Sequence, residues 1–217
     1  MNTLTKFALG MMGRQRPKPA QGNSSAIVDL LPPQKKGGMP LVEALSLRQS
    51  QRKFSTTELS QQLLSDLLWA AYGVNRPDSG RTAPSALNAQ EIELYVALPS
   101  GAYLYDAAAN QLRLVAANDI RRVTGYQDFV DEAALDLVFV ADYRRMKMVP
   151  AGQRESFASV AAGAISQNVY LFAASQNLAT VIRAWIDREA ISAALGLDHD
   201  EHVLLSQTVG YPAHPTS

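Results

Sequence analysis

Two neighbouring stretches constrain the fold of this chain more than any others. "LDLVFVAD" (Leu135–Asp142) is a nearly unbroken apolar run of strand length. "RESFASVAAGAISQNVYLFAASQN" follows it closely and is apolar nearly all round. A strand without polar alternation is one covered on both faces. A long helix with no polar stripe belongs at the centre of a domain, and its small residues suit close packing. The chain must therefore build a core around a central strand and a central buried helix.

The remaining elements are arranged around that pair. "MPLVEALSLRQS" holds a short helix, Leu41 to Leu47. In "TTELSQQLLSDLLWAAYGVNRP", Leu63, Leu64, Leu67, Leu68 and Ala71 share one helical face. Ser60 caps its start, Gly73 ends it and Pro77 prevents resumption. "EIELYVAL" alternates like a strand, and "AYLYDAAANQLRLV" reads as two short strands around a turn near Asn110. "NDIRRVTG" is a short helix, "REAISAALGL" an amphipathic one stopped at Gly196, and "HVLLSQTVGY" the last strand. Helices and strands mix without a steady βαβ rhythm, so the expected class is α+β. There are no internal repeats.

Charge is balanced overall, with 20 basic and 20 acidic side chains, but unevenly placed. Residues 1–53 hold nine Lys/Arg against Asp29 and Glu43. Residues 1–38 read as a basic, Pro/Gly-rich arm or linker, and residues 39–217 as the folded domain. The basic segment has no interleaved aromatics and no basic helix, which argues against nucleic-acid binding. The apolar part of "MNTLTKFALGMMGRQRP", Phe7 to Met12, is too short for a signal peptide and is interrupted by Gly10. A cytoplasmic protein without a membrane span is expected, because the most apolar run, Phe157 to Ser175, carries Ser159, Ser166, Gln167 and Asn168. There is no cysteine, which excludes disulfides, thiolate zinc sites and cysteine nucleophiles.

Four places are candidates for chemistry. "DHDEH" (Asp198 to His202) has the composition of a metal site, but only His214 remains elsewhere to complete one, so no metal is expected. "GRTAPSALNAQEIELYV" crowds Arg81, Thr82, Ser85, Asn88 and Gln90 around Pro84, either as a capped turn or as a loop that binds a planar polar ligand. In "NLATVIRAWID", Arg183 stands in apolar surroundings beside Trp185 and needs a partner, with Asp187 or another acid available. "LRQSQRKF" concentrates Arg48, Ser50, Arg52 and Lys53, either as a solvated turn or as a grip on an anion.

Taken in order, these segments together with "LSDLLWAAYGVNRP", "DLVFVAD", "GAISQNVYLFAASQNLATVIRAWID" and "TVGYP" resemble the nitroreductase family of flavin enzymes. The branch they look most like also contains SagB-type dehydrogenases and thiazoline oxidases. The resemblance runs from about Met39 to Pro212. It implies a mixed central sheet packed by helices, in a homodimer with FMN at the subunit interface. It also implies ping-pong transfer through flavin N5 between NAD(P)H, or another reductant, and a small organic acceptor. Arg48, Ser50 and Arg52 match the family element that contacts the ribityl and phosphate of FMN, with Gln49 between them. Pro84, Ser85, Ala86 and Asn88 match the loop that reaches the flavin of the other subunit. Arg183, Ala184 and Trp185 match the segment whose backbone amide faces N5, and Gln127 stands near a position bonding the pyrimidine edge.

The chain departs from the family at "GYPAHPTS", where many members continue to basic residues that clamp the phosphate. Arg48 and Arg52 are then expected to carry more of that load. The resemblance identifies no acid–base side chain. Two other readings stay open at this point: a flavin- or partner-binding module without turnover, and an azoline-oxidising dehydrogenase of a peptide-modifying complex.

Overall fold

The computed structural model describes Ala8, Met12, residues 15–21 and residues 24–213. Of the apolar lead-in Phe7 to Met12 only Ala8 and Met12 are described, and His214 and the chain end lie outside the described residues. The strands are β1 (Lys18–Pro19), β2 (Ile27–Asp29), β3 (Ile92–Leu98), β4 (Gly101–Asp106), β5 (Gln111–Ala116), β6 (Asn118–Asp119), β7 (Leu135–Asp142), β8 (Ala179–Arg183) and β9 (Glu201–Gly210). The helices are α1 (Leu41–Leu47), α2 (Gln61–Tyr72), α3 (Arg154–Ser175) and α4 (Arg188–Leu195).

A seven-stranded sheet runs β2-β5-β4-β3-β7-β9-β8. The architecture is the α+β one expected. Each ladder is antiparallel, and the mixture lies in the connections. β3, β4 and β5 form a meander. β7 and β8 run the same way, joined by α3, with β9 inserted between them. The β4–β5 turn is set by Asn110 at φ 54° and by Asp106, whose carboxylate accepts the N–H groups of Ala108 and Ala109. Outside this sheet, β1 pairs with β6, and β2 gives the N-terminal segment a place on the sheet's far edge.

Strand β7 is buried at every position, as its unbroken apolar run requires. Leu135, Leu137 and Phe139 face the core shared with α2 and α3, while Val138 and Val140 face a second core closed by Ile191 and Leu195 of α4. Ser60 accepts the Leu63 N–H to start α2, and Gly73 ends it. "NDIRRVTG" is not a helix: Asn118 and Asp119 pair with β1, and only a 3-10 turn, Arg121–Val123, follows.

Helix α3 departs from the expectation of full burial. Ala158, Ala161, Ala162, Ile165, Val169 and Ala173 pack inward, but Val160 is 72% exposed, and Phe157 and Gly163 also face outward. With the turn before it, α3 is the one helix among the described residues long and apolar enough to cross a membrane. Its inner face is spent on the sheet and on α2, as in a core helix. Val42 and Leu45 of α1 are exposed apolar side chains as well.

The cavity left by truncating the fully buried Phe139 cannot collapse between two covered faces. Phe139→Ala should lose about 3–5 kcal/mol of unfolding free energy in a urea titration.

Candidate functional site

Residues 48–55 leave α1 and run beside β8, the free edge of the sheet. The Gln51 N–H donates to the Thr180 carbonyl at 3.0 Å. Phe54 bridges to Pro212, and the Ser55 N–H donates to Tyr211 at 2.8 Å. The segment thereby caps the edge strand and presents its polar side chains beside α3. Gln49 and Gln51 line a cavity of about 310 Å³ with Tyr170, Asn177 and Thr180.

Tyr170 joins two of the segments singled out in the sequence. Its hydroxyl lies 2.8 Å from the Ser50 hydroxyl and accepts the Ile182 N–H at 3.0 Å. The Arg48 guanidinium stands over its ring, 5.2 Å from the centroid. Arg121, Arg122 and Arg183 are paired with Asp119, Asp131 and Asp136, whereas Arg48 and Arg52 form no ion pair among the described residues. Arg48, stacked on the Tyr170 ring and without an ion partner among the described residues, thus stands beside a hydroxyl tied to β8. Sequence reading missed Tyr170. A lone tyrosine on an apolar helix was the available signal, since a buried phenol needs a polar partner.

Arg183, at the end of β8, turns into the core. Its partner is not Asp187 but Asp136, at 2.7 Å, with both side chains buried. The Thr208 hydroxyl donates to the same carboxylate oxygen. Burial pushes the Asp136 carboxyl up from its ordinary range, against the pull of Arg183 and the Thr208 hydroxyl. Burial likewise pulls the Arg183 guanidinium down, yet an arginine does not deprotonate, and a buried guanidinium needs the counter-charge that the Asp136 carboxylate provides. Asp187 instead caps α4, accepting the Ala190 N–H at 3.0 Å. Ala184 and Trp185 emerge from the core, Trp185 being 58% exposed and edge-on to Tyr126 at 5.6 Å.

Gln127 comes close to Arg183 across Gly125. A Cβ at Gly125 would lie 2.4 Å from Arg183 Nη1 and 2.8 Å from Gln127 Oε1, so a side chain there would displace one or both of these groups. Gln127 Oε1 and Arg183 Nη1 are buried without hydrogen-bond partners. Arg122 holds this turn by donating to the carbonyls of Gly125 and Gln127.

The loop Pro84–Asn88 is not part of this cluster. It packs against Phe157, Val160 and Ala161, near the start of α3. From Ala161 to Tyr170 the helix rises roughly 13 Å. Leu87, Asn88 and Gln90 all have positive φ, near 50°, which is costly for side-chain-bearing residues. Gln90 holds the loop: its N–H donates to Ser85 Oγ at 2.9 Å, and its amide reaches Asn88 and Ser79. In the acidic loop, Asp198, His199 and Asp200 face solvent. Asp198 is engaged by Arg144 at 2.9 Å and by the Asp200 N–H.

A model of the nitroreductase family matches residues 45–211. A crystal structure from Ralstonia eutropha JMP134, described provisionally as a nitroreductase, is 47% identical. It has a TM-score of 0.88, and the alignment covers 92% of this chain and 95% of that one. A protein of Methanocaldococcus jannaschii with the same provisional description is 29% identical over 160 residues, 69% of this chain and 81% of its own. A Desulfovibrio desulfuricans structure in complex with FMN shares the fold, with a TM-score of 0.60 at 23% identity over 83% of this chain and 91% of that one.

The two candidate partners of Arg183 separate in mutagenesis. Arg183→Ala strands a buried carboxylate and should cost about 3–5 kcal/mol in chemical denaturation. Asp187→Ala removes only a helix cap and should cost about 1 kcal/mol in the same measurement.

Proposed function

The chain belongs to the nitroreductase family, and from that premise we propose that it is an FMN-dependent oxidoreductase working as a homodimer. The observation that carries this reading is Arg48, without an ion partner among the described residues, beside the Ser50–Tyr170–Ile182 chain of hydrogen bonds, with Arg52 on the same segment two residues past Ser50. A phosphate calls for charge-assisted donors, and arginine supplies them in a fork. The orphaned acceptor Gln127 Oε1 suits a group that carries N–H donors away from its phosphate. This donor set fits FMN.

When bound, FMN supplies the redox chemistry, taking up a hydride equivalent from a donor such as NAD(P)H and returning electrons to a small organic acceptor in a separate half-reaction. The protein binds and orients. Arg48 and Arg52 hold the anionic end, and Ser50 adds a hydroxyl whose position Tyr170 sets. The Arg183–Asp136 pair anchors the end of β8, so the backbone of Ala184 and Trp185 leaves the sheet at a fixed point. Trp185 and Tyr126 form an aromatic wall at the protein surface.

The dimer reading rests on exposed apolar side chains and on the geometry of α3. Val42, Val160 and Leu87 are 77%, 72% and 73% exposed, which is costly in water and natural in an interface. The loop Pro84–Asn88 and the Arg48–Tyr170 cluster sit at different heights along α3. Two copies packed with their α3 helices antiparallel would bring the loop of one to the cluster of the other. Within the family, the ordered set of segments looks most like the branch that includes SagB-type dehydrogenases, so azoline-containing peptides belong among the acceptors to be tried.

A visible absorption spectrum of the purified protein, followed by NAD(P)H titration under nitrogen, tests the assignment. A flavin spectrum bleached by the nucleotide is expected, and a colourless protein that cannot be reconstituted with FMN would overturn it. Arg48→Ala should weaken FMN binding by roughly 1.5–3 kcal/mol and riboflavin binding far less, because only FMN offers a charged acceptor. Calorimetric titration with the two ligands reads the difference. Val160→Glu should yield a monomer in analytical ultracentrifugation and release the flavin with it.

A further inference from the structure

A second polar cavity lies on the interior strands β3 and β4, separated from β8 by β7 and β9. It measures about 230 Å³ and is built on β3 and β4, with Tyr72, Arg81, Tyr105, Arg113 and Arg145 on its walls. The Tyr72 and Tyr105 side chains are buried, and their hydroxyls have no hydrogen-bond partner. Arg81 lies over the Tyr72 ring at 5.0 Å and uses Nε on Gln90 and Nη1 on the Tyr72 carbonyl. It forms no ion pair among the described residues. Arg113 is paired with Asp106, and Arg145 with Glu93 and Asp142.

The unspent groups are therefore donors: two phenols and a guanidinium. The walls hold three guanidiniums; Glu93 and Asp142 engage Arg145, Asp106 engages Arg113, and Arg81 is the one left without a carboxylate among the described residues. Ile92, Leu94 and Leu104 complete the lining with aliphatic surface. We infer that this cavity is a binding site for a small monovalent carboxylic acid, its carboxylate on Arg81 and the two tyrosines and its short apolar tail against β3 and β4. The volume is below the roughly 300–1,000 Å³ of common ligand pockets, which restricts the ligand to a short acid.

Both hydroxyls remain protonated donors at any physiological pH, since burial holds each at about 12. Glu91, next to β3, is fully buried with neither carboxylate oxygen bonded. Burial raises its affinity for a proton, so it opposes an incoming anion less than a solvated carboxylate would.

The cavity is linked to the interface loop. Arg81 holds the Gln90 side chain and Arg145 the Gln90 carbonyl, at 3.1 Å, and Gln90 sustains the left-handed run of Leu87 and Asn88. A carboxylate drawing on Arg81 would change the support of Pro84–Asn88. The effect on flavin rests on the function proposed above; the binding itself does not.

The test is isothermal titration calorimetry of the protein as purified, with sodium butyrate and separately with inorganic phosphate, at fixed ionic strength. Saturable butyrate binding is expected, weakened roughly a hundred-fold in Tyr72→Phe/Tyr105→Phe, which loses two hydrogen bonds to a charged acceptor. Arg113→Gln, at an exposed side chain that does not threaten folding, should weaken it as well. Absence of saturable butyrate binding, or binding indifferent to all these substitutions, would overturn the site. Phosphate binding with the same sensitivity, in place of butyrate, would overturn the carboxylate assignment. In wild type, butyrate should alter the rate of flavin release. An unchanged rate alongside confirmed butyrate binding would refute the link to the loop.

Discussion

The buried ion pair between Arg183 and Asp136 organises this half of the molecule. It joins β7 to the end of β8 across the intervening β9, whose Thr208 hydroxyl contributes to the same carboxylate. Thr124 and Gly125 pack against it, so the turn bearing Gln127 is placed by the same charges. Such a pair gains little net stability over well-packed apolar side chains, because desolvation consumes most of the Coulombic attraction. What it does impose is geometry. Neither charge tolerates losing the other, and the strand end can settle in few other positions.

Most elements were legible in the sequence because each carries its own local signal. Ser60 and Gly73 bound α2 as their capping chemistry requires, and Gly196 ends α4 with φ 68°. The apolar run of β7 demanded two covered faces and received them. The reading of α3 as fully buried failed because composition cannot distinguish a face covered by the same chain from one left outward. "NDIRRVTG" misled for a related reason. Its length and charge suit a helix, but Asn118 and Asp119 are recruited by a strand more than ninety residues earlier in the chain, a pairing no local pattern records.

The candidate site was legible in pieces and not in its assembly. "LRQSQRKF" and "VIRAWID" were picked out as separate charged stretches, and the structure does bring Ser50 and Ile182 together. The agent is a tyrosine on a third element, and sequence spacing does not indicate it. For Arg183 the need for an acid was legible, but the choice between Asp187 and Asp136 was not. Proximity in sequence favoured Asp187, whose carboxylate is committed to the first turn of α4.

The extended segment beside β8 has a second role. An uncovered sheet edge offers a row of backbone donors and acceptors to any passing strand, including one from another copy of the chain. Here Gln51 bonds to Thr180 on that edge, and Phe54 and Ser55 pair with the residues that follow β9. The residues that present Arg48 and Ser50 are thus also a guard on the sheet. On the function proposed above, changes that loosen this stretch would act on two properties at once, ligand capture and colloidal behaviour, so that selection for solubility would bear on the same few residues as selection for binding.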